Sequence, residues 1–219
     1  MDISAMGRYI PLYVKAAKLT LTLGGIGISL AILLGFICAM IRYYKIPIAR
    51  QLVGAYIELS RNTPLLIQLF FLYYGLPKLG IKISAESCAV IGLTFLGGSY
   101  MAEAFRSGLE AVSKNQIESG LSIGLNEWQL IRYVIVPQAF AVAIPGIGAN
   151  IIFLLKETSL FSAVALADLM FVAKDLIGMY YKTDEALLLL VIAYLIILLP
   201  LSILFTWLER RMRYAGFGH

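Results

Sequence analysis

Residues 118–137 read ESGLSIGLNEWQLIRYVIVP, the one long stretch of mixed polarity in a chain otherwise built from apolar runs. Ile117, Leu121 and Leu125 recur every four positions, while Lys114, Gln116, Glu118, Ser119 and Ser122 are polar. This pattern predicts a short amphipathic helix over about 114–125. Gly120 and Gly124 would leave part of its surface nearly bare, so that another protein could reach the backbone. On periodicity alone the same helix could equally lie flat on a membrane surface.

What surrounds it decides the fold class. Of 219 residues 60% are apolar and 14% charged, and the mean hydropathy is +0.85, too apolar for a water-soluble core. The chain is therefore expected to be an integral membrane protein of one domain, residues 1–219. Its net charge of +5 fits cytoplasmic faces and anionic membrane lipid better than nucleic acid, because no basic cluster sits on a polar fold. Cys38 and Cys88 lie inside apolar runs, which gives a disulfide framework no support. The lone histidine, His219, argues against a histidine metal site or general base, and no metal site is expected. Asp2, Arg8 and Pro11 precede the first apolar run without a cleavable-signal pattern, so that run is expected to be retained.

About 20 apolar residues in a helix cross roughly 30 Å of hydrocarbon. Leu19–Ile41 qualifies, and its Gly27, Ala31, Gly35 and Ala39 form a ridge suited to close helix contact. Ile48–Leu59 is amphipathic, and Asn62, Thr63 and Pro64 reset the chain, reading as a side-chain cap and a proline opening a new helix. From there Leu65–Leu76 spans only as a short or extended segment. Residues 86–106, 137–155 and 185–207 complete five crossings, and the twelve-residue run Leu160–Phe171 suits a re-entrant or interfacial helix. Five crossings place the termini on opposite sides. Setting the C-terminus inside puts ten of the 18 basic residues in the cytoplasm, among them Arg42, Arg50, Arg210 and Arg211 at membrane exits. Residues 107–136 then form a cytoplasmic loop. Glu58 with Arg61, and Glu103 with Arg106, are three apart and suited to structural ion pairs on one helix face.

The spacing Glu118, Ser119, Gly120, three residues, Gly124, nine residues, Val134 to Pro137 resembles the EAA signature of ABC importer permeases, with Ser119 and Gly120 in place of two alanines. Three further stretches resemble the polar amino acid branch of that family, the histidine, arginine, lysine and glutamine type. They are Arg61 to Gln68 (RNTPLLIQ), Glu103 with Arg106, Ser107 and Gly108, and Lys156 to Leu160 (KETSL); Pro137, Gln138 and Ala139 match its P-Q-A. The matches run in register over most of residues 55–170.

The resemblance implies an all-α permease of the type I importer kind, with Glu118, Ser119, Gly120, Gly124 and Pro137 coupling it to an ATPase. It also implies a prokaryotic cell membrane, a second permease subunit (identical or paralogous), two ATPase subunits and an extracytoplasmic binding protein. No GxxxxGK[ST] phosphate loop occurs, so ATP and Mg2+ are expected on the partner ATPase and no cofactor or enzyme activity in this chain. An amino acid zwitterion needs an acceptor for its ammonium and donors for its carboxylate. Gln68, Glu157, Thr158, Ser159 and Asp168 are the candidates, and two carboxylates around one cavity would favour a basic cargo. Two other readings remain: an ion-coupled transporter or channel without an ATPase, and a membrane scaffold that transports nothing.

Overall fold

The computed structural model describes residues 3–214; Asp2 and His219 lie outside them. Among the described residues there is no strand. Helix α1 (Ile3–Tyr43) is followed by α2 (Ala49–Arg61) and α3 (Leu65–Phe70), which continues as a π-turn, Phe71–Gly75, and a 3-10 turn, Leu76–Leu79. Next come α4 (Ala85–Glu110), α5 (Lys114–Ser122), α6 (Glu127–Leu130) and a second π-turn, Ile131–Ile135, leading into α7 (Val136–Glu157). A 3-10 stretch, Thr158–Val164, precedes α8 (Leu169–Tyr180) and α9 (Thr183–Tyr214).

Four helical stretches are long and apolar enough to cross a bilayer: Met6–Tyr43, Ala85–Glu110, Glu127–Val164 and Thr183–Met212. Leu65–Leu79 is apolar but shorter, and the fifth crossing expected from the sequence depends on it. Helix α4 is the most enclosed of the spans and α9 the least.

The bundle is organised by α4, which packs on α1 along one side and α7 along the other. In α1, Ala31 and Ala39 are fully buried. A Cβ at Gly35 would collide with Met101 and lie 2.8 Å from the Ala102 nitrogen, and one at Gly27 would lie 2.9 Å from Leu93. The small-residue ridge thus lets the backbones of α1 and α4 come together. On the other side, a Cβ at Gly108 would strike the Ala139 carbonyl, so α7 approaches as closely. Polar side chains cross-link α4 to α7 and to α2. Asn150 donates to the Tyr100 carbonyl (3.1 Å), and Tyr56 and Ser60 both donate to the Phe95 carbonyl (2.7 and 2.9 Å). At the far end the Tyr13 hydroxyl donates to the Ala186 carbonyl (2.7 Å), tying α1 to α9.

The break before α3 differs from the expected cap. Pro64 itself stands at the N-cap with no side-chain bond. Asn62 and Thr63 instead turn backward, donating to the carbonyls of Glu58 (2.8 Å) and Leu59 (2.7 Å), and so close α2 rather than open α3. The expected single helix over Leu160–Phe171 is also divided. Ala165 adopts a left-handed conformation (φ 61°), and α8 starts afresh after Asp168.

Both π-turns stand immediately before a proline. Leu76 donates to the Phe71 carbonyl ahead of Pro77, and Val136 to the Ile131 carbonyl ahead of Pro137. A proline ring clashes with the carbonyl four residues back in an α-helix, and the wider turn relieves this.

Replacing Gly35 by leucine is expected to cost about 3 kcal/mol through overpacking and to lower the unfolding temperature of the detergent-extracted protein. Leucine at Gly25, which has open space beside it, should be neutral.

Candidate functional site

Two regions stand out from an otherwise apolar bundle. The first is a recess of about 420 Å³ where the α2–α3 break meets α4 and the end of α7. Arg61, Asn62, Thr63, Tyr100 and Glu157 line it, with Leu96 and Phe153 among its apolar walls. Arg61 arrives because α2 buries Val53, Ile57 and Ser60 and so aims its last turn at α4. Its guanidinium lies 5.2 Å from the centre of the Tyr100 ring, a cation–π contact. The expected Glu58–Arg61 pair is not formed; Glu58 instead accepts from the Asn62 amide (3.3 Å). Arg61, held against Tyr100, and Glu157 thus line the same recess.

The other candidate cargo residues are placed differently. Gln68 spans the chain break, donating to the carbonyls of Thr63 (3.0 Å) and Ser60 (3.3 Å), with its own carbonyl oxygen buried and unpartnered. Thr158 is fully buried and donates to the Leu155 carbonyl (2.6 Å). Ser159 opens with Lys156 and Tyr194 onto a separate groove of about 390 Å³ against α9. Asp168 caps α8, one carboxylate oxygen accepting from the Phe171 amide (2.9 Å) and the other fully buried without a partner. It does not line the recess, so Glu157 and Asp168 do not face one cavity. The buried Thr20 hydroxyl of α1 also lacks a partner among the described residues.

The second region is the loop from α5 to the start of α7. Ser113 caps α5, and Asn126 with Gln129 forms a capping box on α6. Val112, Leu130, Ile135 and Ala139 make a small core beneath them. Gly120 is buried there, since a Cβ would lie 2.6 Å from Leu130, and Gly124 (φ 84°) makes the turn that ends α5. Gly120 is therefore covered and serves the loop's own packing, whereas Gly124 is exposed with open space beside it, as the sequence suggested. Among its exposed polar residues, Glu118 and Ser119 included, the loop also exposes large apolar side chains: Ile123 at 79%, Trp128 at 71% and Leu121 at 50%.

Residues 31–214, which include both regions, match the family of binding-protein-dependent transport system inner membrane components. The chain belongs to that family. Among its relatives, the probable amino-acid ABC transporter permease PatM of Vibrio harveyi is 35% identical, over 98% of this chain and 97% of that protein. The glutamine transport system permease GlnP of Escherichia coli K12 is 33% identical over 97% and 98%, and the probable amino-acid permease YxeN of Bacillus subtilis 38% over 97% and 96%. A solved amino acid ABC transporter with histidines superposes at a TM-score of 0.88 with 32% identity, covering 96% of this chain and 99% of that one. The inward-facing MetNI methionine transporter, at 19% identity and a TM-score of 0.74, shares the fold.

As an inner membrane component of this family, the chain is a permease subunit, and the exposed loop has the family's coupling-helix character. The ion pair expected between Glu103 and Arg106 is present at 2.6 Å and belongs to a larger network, in which Arg42 of α1 also bonds Glu103 and Arg106 bonds Glu110. It joins the ends of α1 and α4 beside the loop. Arg61 and Tyr100 escaped the sequence reading because three-residue spacing offered Glu58 as a partner. The usable signal was that the buried face of α2 ends at Ser60, next to Arg61. Trp128 and Ile123 fall off the four-residue period of Ile117, Leu121 and Leu125 and so did not count toward an apolar face.

Gly120→Val should open the core under the loop and speed trypsin cleavage around Lys114 by about tenfold, equivalent to about 1.4 kcal/mol of local stability. Gly124→Ala should cost about 1 kcal/mol through its left-handed backbone. In both variants the spans stay folded, which circular dichroism checks.

Proposed function

We propose that this chain is the permease of an ATP-driven importer for polar amino acids, working by alternating access. The observation that carries this reading is the recess that Glu157 and Arg61 line together within an apolar bundle. A zwitterion would set its ammonium against Glu157 and its carboxylate against Arg61. The names of the relatives, which concern glutamine and amino acids generally, point to the same class of cargo. A basic cargo would use Glu157 for its side-chain cation and place its α-ammonium on main-chain carbonyls at the chain break before Pro64. Charges at bilayer depth are costly, so a second permease, identical or paralogous, covers this face and completes the path.

Five crossings, with Leu65–Leu79 as the short one, put the N-terminus outside and the C-terminus in the cytoplasm of a prokaryotic cell membrane. The loop over 107–136 then faces inward, where Ile123 and Trp128 dock on one of two ATPase subunits that bind ATP and Mg2+. ATP binding draws those subunits together and turns the recess outward to a binding protein that delivers cargo; hydrolysis resets it.

Two variants test the reading in proteoliposomes containing the whole transporter. Glu157→Gln should lower uptake of labelled glutamine and arginine about tenfold, as loss of a charged hydrogen bond predicts. A loss confined to arginine would assign Glu157 to the side chain, and unchanged uptake of both would overturn the site. Glu118→Lys should abolish uptake or release the ATPase while the permease still inserts; normal uptake by an assembled variant would overturn the coupling role.

A further inference from the structure

We propose that the cytoplasmic end of the bundle holds a specific site for an anionic phospholipid, with acyl chain in the cleft between α1, α4 and α7 and phosphate between Lys45 and Arg132. The proposal rests on the permease reading and its orientation. The cleft has a volume of about 150 Å³ and is walled by Phe36, Met40, Tyr43, Phe105, Ile135 and Phe140, with almost no polar surface. Phe36 and Phe140 are each more than 40% exposed, so the cleft opens sideways, toward where acyl chains lie. The exposed Tyr44 packs edge-on against Tyr43 at 5.4 Å, an aromatic pair of the kind found at headgroup level.

Charge complementarity selects the headgroup. Arg42, Lys45, Arg106 and Arg132 each adjoin a cleft residue in sequence, and Arg42 and Arg106 are taken up by Glu103 and Glu110. Lys45 and Arg132 are exposed, and neither has an ion pair among the described residues. Lys45 follows the cleft residue Tyr44. Arg132 follows Ile131 and precedes Val136 by four residues, and both of those line the cleft. The acidic residues of the loop, Glu118 and Glu127, do not line it. A free phosphate would have no use for the cleft, and a neutral lipid none for the two cations. A lipid seated there also lies against Ile131 and Ile135 of the second π-turn, the joint between the coupling loop and α7.

The test is native mass spectrometry of the complete, delipidated transporter titrated with dioleoyl-phosphatidylglycerol or dioleoyl-phosphatidylcholine. The intact protein should retain one phosphatidylglycerol per permease under activation that strips phosphatidylcholine. The K45Q/R132Q double variant should weaken that binding about 30-fold, the combined effect of two juxtamembrane basic contacts. Met40→Trp, which fills the cleft and leaves both charges in place, should also lose the lipid. Dihexanoyl-phosphatidylglycerol, with the same headgroup and short chains, should bind at least about tenfold more weakly. Equal retention of the two dioleoyl lipids, or unchanged phosphatidylglycerol binding by K45Q/R132Q, would overturn the proposal. The same spectra count ATPase subunits, so a failure of the permease reading shows separately from a failure of the lipid site.

Discussion

Everything in this bundle depends on two backbones touching where Gly35 of α1 meets Met101 and Ala102 of α4. Inside a bilayer, lipid tails are as apolar as leucine, so helices associate through close packing and hydrogen bonds rather than expulsion of water. The Gly27, Ala31, Gly35, Ala39 ridge supplies that packing, and Gly108 repeats the device toward α7. With α1, α4 and α7 locked at short distance, the ends of α4 and α7 are held in register. The coupling loop hangs from those ends on one side, and Glu157 sits at the opposite end of α7.

The same constraint explains where polar groups collect. Hydroxyl and amide side chains within the seams are spent on neighbouring carbonyls, as with Tyr56, Ser60 and Asn150. The network of Arg42, Glu103, Arg106 and Glu110 is spent on joining helix ends. Glu157 and Arg61 are different, because neither is neutralised by a carboxylate or guanidinium of its own bundle among the described residues. A recess that keeps one charge of each sign available suits a ligand that carries both.

Much of the fold was legible in the sequence because lipid imposes a coarse rule: long apolar runs become spans, and small residues every fourth position become seams. The coupling segment was legible through its spacing and its polarity against an apolar background. Local chain geometry was harder to see. No glycine or proline marks the left-handed turn at Ala165, so the run Leu160–Phe171 looked continuous. Asp168, read as a cargo candidate within that run, is the cap that starts α8, a role that needs the helix boundary to be known first. Arg61 finds its ring 39 positions away on α4, a tertiary contact that outcompetes the local partner Glu58. Gly120 looked bare because its cover, Leu130, comes from the next helix.

The π-turn at Ile131–Ile135 holds one residue more than an α-helical turn would need between the same two ends. Losing one residue from this turn would return it to the α-helical count and set the Pro137 ring against the carbonyl four residues back, the clash that the wider turn relieves. Substitutions there leave the count intact and deletions do not. The turn's composition is bound separately, because Ile135 is buried in the core beneath the loop and Ile131 and Val134 pack against that core.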